Sequence, residues 1–365
     1  MMTKKIIFLV LLLTLSNVAL ISCQKNMEQK KYFWDASVCT PKNYPALIFS
    51  GHLILGNTLQ SSYVYMPFDD IINSHHLGDN DGSSSGQATG IPPKILDITW
   101  MSFVENKSYS GIFKLDYEKI ESLMKNGSER PVWDQETKKI EIVKDYNFAV
   151  NVGLFPGGMA VLYVFSPSNM TIVGRYQAHE DKNVNWKVAF PQMKDNNEMD
   201  EFVADIVSRF PQEIKDQMKQ GTIPFDYWET LFKKYPITPM VKTEDKVETI
   251  KINYINGEFE SVFLSLNDNL IPIKERAVPR KINIVWHDMN DRRMESDIFF
   301  DEKKSKAIFE NIKTSESIKF VIDINRNTKP RETKGVSIKL KTASAEIDMI
   351  ECIVSQESFT KPNPY

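Results

Sequence analysis

Chemistry is most narrowly specified at Cys23, the last residue of Leu20-Ile21-Ser22-Cys23. An aliphatic residue, a variable one, a small one and then cysteine form the lipobox pattern of bacterial precursors. In that pattern the chain is cut before the cysteine, and its thiol and new amine are acylated. The preceding residues suit such a leader. Lys4 and Lys5 supply a positive start, and the apolar run from Ile6 to Ala19 is broken only by Thr14, Ser16 and Asn17. That run is long enough for a signal-peptide core, and too short and polar to span a bilayer comfortably. Ala19 and Ser22 would also suit an ordinary signal peptidase, but a cysteine closing the run favours lipidation with palmitate-type chains. Each buried methylene contributes about 0.8 kcal/mol, so two or three acyl chains hold essentially permanently.

The remaining reactive residues specify less. Cys39 and Cys352 are the other cysteines. An exported compartment permits a disulfide between them, and two buried thiols are the alternative. His75 and His76, with Asp79 and Asp81, hint at metal. Adjacent histidines in an extended segment point to opposite sides, however, and no glutamate is placed to close a calcium loop. Ser74 to Gly90 therefore reads as a long exposed loop. Gly153-Leu154-Phe155-Pro156-Gly157-Gly158 has strands on both sides and no following helix, so it reads as a hairpin turn rather than a phosphate cradle. His52, His179 and His287 could each serve a serine or a carboxylate, but no nucleophile elbow, zinc helix or phosphate loop accompanies them. Asn106-Lys107-Ser108 fits a glycosylation sequon that the bacterial leader makes idle. No catalytic residue, cofactor or metal site is assigned.

These residues need a scaffold, and the composition supplies one: 42% hydrophobic and 25% charged. A net charge of -3 argues against nucleic acid as partner, because no basic field exists to release counterions. Residues 1–22 read as the leader and 23–31 as a polar tether. A first α+β unit is expected over 32–189, with Asp116 capping a helix that stops at Asn126-Gly127. Apolar residues at helical spacing predict a helical insert over 190–243, and a second α+β unit follows over 244–365. The halves echo one another. Ile98-x-Trp100 and Ile112-Phe113 match Ile284-x-Trp286 and Ile298-Phe299 at one constant offset, and the helical pairs Leu123-Met124 and Ile308-Phe309 follow. The expected fold is thus α+β: two related, mostly antiparallel β units with packed helices, an internal duplication joined by a helical insert. Trp34, Trp100, Trp133, Trp186, Trp228 and Trp286 are expected as core anchors, or as a contact rim for a protein or glycan.

Taken together, the lipobox, Trp34 before Tyr44-Pro45, Leu96 to Ser102, Tyr109 and Phe113-x-Leu115 resemble a family of bacterial lipoproteins, the domain-of-unknown-function 2931 family. Val152 to Gly158, Ile223-Pro224, Trp228 and Tyr235 continue the pattern. The resemblance carries no catalytic residues. It implies a lipoprotein, and some relatives are thought to act as immunity factors beside lipase effectors. Gln24 to Glu28 also resembles surface-export signals of such lipoproteins. The expected function is a non-enzymatic, lipid-anchored binding protein of the bacterial envelope, on the periplasmic or surface face of the outer membrane, with a protein partner. An envelope hydrolase of lipids or glycans and a structural envelope lipoprotein are the alternatives.

Overall fold

Alternation with a period of two dominates the burial pattern. Along Ile95–Ser102, Leu96, Ile98 and Trp100 are fully buried while Asp97 and Thr99 are only half-buried, as a strand with one face on a core requires. The computed structural model describes residues 30 to 359, apart from 68–70, 80–83, 135, 137–138, 189, 192, 194, 245, 265–270, 289, 291, 314, 325–335, 344 and 350–351. The leader, the tether up to residue 29 and Cys23 lie outside the described residues.

In chain order, β1 (Tyr32–Cys39), β2 (Ala46–Ile54), β3 (Tyr63–Tyr65), β4 (Ile71–Ile72) and β5 (Ser84–Gly90) precede β6 (Ile95–Ser102) and β7 (Lys107–Lys114). Helix α1 (Tyr117–Asn126) leads into β8 (Ser128–Asp134), β9 (Lys139–Asp145), β10 (Asn147–Leu154), β11 (Met159–Ser166), β12 (Asn169–Gln177) and β13 (His179–Glu180). Three helices follow: α2 (Asn196–Ser208), α3 (Gln212–Gln220) and α4 (Phe225–Leu231). Then come β14 (Tyr235–Lys242), β15 (Lys246–Tyr254), β16 (Phe259–Phe263), β17 (Lys274–Arg276), β18 (Pro279–His287) and β19 (Arg293–Phe300). Helix α5 (Glu302–Glu310) is followed by β20 (Ile318–Ile324), β21 (Val336–Lys341), β22 (Glu346–Asp348) and β23 (Cys352–Phe359).

The strands form a ten-stranded sheet in the order β23-β19-β18-β15-β16-β12-β11-β10-β1-β5, and a six-stranded one in the order β13-β7-β6-β2-β3, with β4 beside β2. A five-stranded sheet runs β17-β14-β20-β21-β22, and β8 and β9 form a separate hairpin. Pairing order recurs between the halves. β1 lies parallel to β10 and antiparallel to β5, as β14 does to β20 and β17. β2 sits between β6 and β3, as β15 does between β18 and β16. Trp100 on β6 and Trp286 on β18 are both buried, and so are Met124 on α1 and Phe309 on α5.

The α+β class is nevertheless overturned. Strands hold 49% of the residues against 19% in helices, and the layers are sheets. The helical periods are real, with Asp116 Oδ1 accepting the Lys119 amide at 3.1 Å and Gly127 at positive φ ending α1. What fails is the layer they were expected to form. α1 buries only Ile120 and Met124, a stripe too narrow to cover a sheet. Nor do α2, α3 and α4 stand as an insert: Val203, Ile206, Ile214, Trp228 and Leu231 belong to the same buried cluster as Tyr163, Ile250 and Trp286. From Tyr32 onward the chain clusters as one compact unit. Within the ten-stranded sheet, β12 and β16 pair over two residue pairs, Asn169 with Glu260 and Met170 with Phe259.

Candidate functional site

One strand face decides where a site can form. Trp34, Ala36 and Val38 of β1, with Phe148, Val150 and Val152 of β10, enter the core shared with the six-stranded sheet. Their neighbours Asp35, Ser37, Ala149 and Asn151 therefore face the other way. They meet Phe165 of β11, Met170 of β12, Phe259 of β16, Lys251 and Asn253 of β15, and Arg280 of β18 around a cleft of about 570 Å³.

The wall over this cleft is the segment expected to be an exposed loop. Its first part is pinned instead: the Thr40 amide donates to Ser74 Oγ at 3.1 Å, and the Ser74 amide to Thr40 Oγ1 at 3.3 Å. Ser74 and Leu77 are buried, and Ser84–Gly90 is a strand on the edge of the ten-stranded sheet. Asn151 Nδ2 donates to the Gly78 carbonyl at 3.3 Å. Gly78 (φ +87°) abuts Gly257 (φ +86°) backbone to backbone, so closely that a Cβ on Gly78 would lie 2.5 Å from the Gly257 carbonyl oxygen. Polar composition misleads here because Thr40, Asn151 and the backbone of β1 satisfy the segment's polar groups.

The electrostatics are asymmetric. Lys251 forms no ion pair among the described residues, and its Nζ lies 4.3 Å from the centre of the Phe259 ring. Burial holds its ammonium below the usual lysine range, and repulsion from Lys281 adds to this. Arg280 keeps 13% of its side chain exposed, and Asp79 Oδ1 lies 3.9 Å from its Nη2. Its Nε is buried without a hydrogen-bond partner, and burial lowers its pKa too. Asp35 Oδ1 and Asn151 Oδ1 are buried acceptors, likewise without partners among the described residues. Glu258 also lines the cleft, but Lys234 Nζ holds it at 2.6 Å and the Ile172 amide donates to it at 3.1 Å. Between the two ends Phe165 and Phe259 pack edge to face, 5.7 Å apart. In strand order the donors stand on β18 and β15, the rings on β16 and β11 and the acceptors on β10 and β1, an arrangement that can hold a ligand of matching polarity.

Sequence-level candidates are mostly elsewhere. His75 lines the cleft. His76 is half-buried with its pKa lowered by burial first and by Arg280 second, and Asp81 lies outside the described residues. No group of three or more His, Cys, Asp or Glu side chains suited to a metal exists among the described residues. His52 packs edge-on against Tyr63 and tilted against Tyr65, His179 lies on β13, and His287 Nε2 sits 3.3 Å from Glu248 Oε2; none lines the cleft. Trp34, Trp100, Trp228 and Trp286 are buried anchors. Trp186 is half-buried and lines a second cavity of about 540 Å³, whose rim carries the Lys107–Glu180 pair at 2.9 Å. The Trp133 side chain is outside the described residues. The glycine run turns β10 into β11, with Gly157 and Gly158 at positive φ. Cys39 is buried in β1, while Cys352 opens β23, with seven strands between them in the order of the same sheet.

Sequence reasoning missed Lys251 and Arg280. Lys251 alternates with Ile250 and Ile252, which marks an outward-facing position but not that a neighbouring loop covers it. Behind Phe259, Glu260 is held by Arg276 and Lys274 and accepts from the Tyr254 hydroxyl, a buried network the sequence also concealed.

Among the described residues no helix is long and apolar enough to cross a membrane. Comparison with curated proteins and with solved structures gives no match. A family model described as "Protein of unknown function (DUF2931)" matches residues 22–226, which hold the first-half floor of the cleft and its Gly78 wall but not Lys251, Gly257 or Arg280. That match spans more than half of the chain, which therefore belongs to the DUF2931 family.

Proposed function

We propose that this protein is an envelope lipoprotein, exported by a leader over residues 1–22 and acylated at Cys23, whose folded body is a non-catalytic binding protein for another protein. One observation carries the binding reading: the cleft keeps a buried donor on Arg280 and buried acceptors on Asp35 and Asn151 without partners among the described residues. Leaving such groups unpaired costs about 1–3 kcal/mol each, a cost that a ligand pairing with them recovers. The lipobox supports the anchor, placed on the outer membrane at its periplasmic or surface face. Resemblance to lipoproteins found beside lipase effectors favours a secreted effector of that type as the partner.

Two measurements test this. Cells fed a fatty-acid analogue should label the wild-type protein and not Cys23→Ser, and equal labelling would remove the anchor. The full-length protein, used as bait against proteins encoded beside its gene, should capture one that Arg280→Gln fails to hold. Turnover of lipid, ester or glycan substrates, abolished by one His or Ser substitution, would establish the hydrolase instead.

A further inference from the structure

The cleft holds two cations, Lys251 and Arg280, for which the described residues supply one loose carboxylate contact, Asp79 on Arg280. Lys281, the residue after Arg280, differs: its Nζ lies 2.9 Å from Asp297 Oδ1. Burying a charge without a close partner costs stability, and neutral side chains of similar size generally remove that cost. A fold that retains two such groups side by side, facing a cavity, is set up for an anion. The anion is a small one. Asp35, Asp79 and Glu258 line the same cleft and would repel a polyphosphate or a nucleic acid strand. Next to the cations stand Phe259 and Phe165, so the anion's carrier is apolar where it meets the rings. Beyond them the unpartnered oxygens of Asp35 and Asn151 call for a donor, which a peptide amide N–H supplies and an acyl chain does not.

We propose that the cleft takes a single carboxylate between Lys251 and Arg280, carried by a segment of the partner protein whose apolar side chain lies against Phe165 and Phe259. This rests on the reading of the chain as a binding protein and specifies the chemistry that its cleft recognises.

The test uses N-acetyl-phenylalanine and its amide, which differ only in the carboxylate, with decanoate as the lipid-like arm. Binding to the full-length protein is read by chemical-shift titration. The acid is expected to bind with a Kd on the order of 1 mM, as befits a ligand of its size. The amide should bind about tenfold more weakly, the loss expected for one charge-assisted hydrogen bond. Lys251→Gln and Arg280→Gln should each lose the acid by a similar factor while melting at or above the wild-type temperature, and Lys281→Gln should bind as wild type does. Equal binding of acid and amide, an equal loss in Lys281→Gln, or no saturable binding of the acid would overturn the proposal. Tighter binding of decanoate than of N-acetyl-phenylalanine would overturn the peptide assignment. Any of these failures leaves capture of a protein partner standing as a separate question, because that experiment requires no carboxylate.

Discussion

Arg276→Ala is expected to destabilise the protein by about 3–5 kcal/mol, the usual result of removing one member of a buried ion pair. Arg276 is 3% exposed and Glu260 5%. The guanidinium donates to Glu260 and to the carbonyls of Ile237 and Pro272, the last at 2.9 Å, so its loss leaves a buried carboxylate and two carbonyls short of donors. Lys274 still reaches Glu260, but its side chain is about half exposed, and water screens it. The pH dependence separates this from simple loss of packing. Burial alone would raise the Glu260 pKa, yet the hydrogen bond and charge of Arg276, then Lys274, outweigh it and hold the carboxyl below the usual glutamate range. A folded-state pKa below the unfolded one contributes stability above the unfolded value and loses it as pH falls. Wild-type stability should therefore decline on acidification below about pH 4. Arg276→Ala removes the strongest influences that oppose burial, so the Glu260 pKa rises and the variant gains relative to wild type as pH falls. Urea unfolding at neutral pH and near pH 4 measures both. A constant gap between the proteins would show that the ion pair is not the cause.

Gly78→Ala is the second large effect, expected at about 2–5 kcal/mol. A non-glycine residue at positive φ costs about 1–2 kcal/mol. Forcing a methyl into packed backbone adds typically 1–3 kcal/mol more. Gly221 isolates the two contributions. It ends α3 at φ +66° with nothing within 4 Å of where a Cβ would stand, so Gly221→Ala should cost only the conformational part. Matching urea midpoints for the two variants would mean that the Gly78–Gly257 contact carries no weight. Because Gly78 walls the cleft, its substitution should also weaken N-acetyl-phenylalanine binding, whereas Gly221→Ala should not.

Local structure was legible in the sequence, and long-range structure was not. Asp116 and Gly127 bound a helix because capping and positive φ are decided within a few residues, and the Pro156-Gly157-Gly158 turn was readable for the same reason. Class was misread because strand pairing is non-local. Phe33 pairs beside Asn147, and nothing near either residue announces the other. Helical spacing identified α2, α3 and α4, yet could not show that their apolar faces would join a core built by strands on both sides of them. At the site, the sequence marked His75, which lines the cleft, and the glycine of the pinned wall went unnoticed inside a stretch read as solvated. Lys251 and Arg280 look like ordinary surface cations in sequence. Only a fold that brings β15, β18 and the wall together makes them costly.

A sheet of ten strands joined at its middle by two residue pairs is held across that line by its core as well as by its ladder: Val161, Tyr163 and Met170 on one side share a buried cluster with Ile250, Ile252 and Phe259 on the other. Hydrogen bonds add to the pairs along that line: the Ser261 amide donates to the Ser168 carbonyl at 2.7 Å, the Tyr163 hydroxyl to the Asn256 carbonyl at 3.0 Å and the Ile172 amide to Glu258 at 3.1 Å. Phe165 stands on one side of that line and Phe259 on the other, so a body resting on both rings bridges the place where the ladder is shortest and adds contact there.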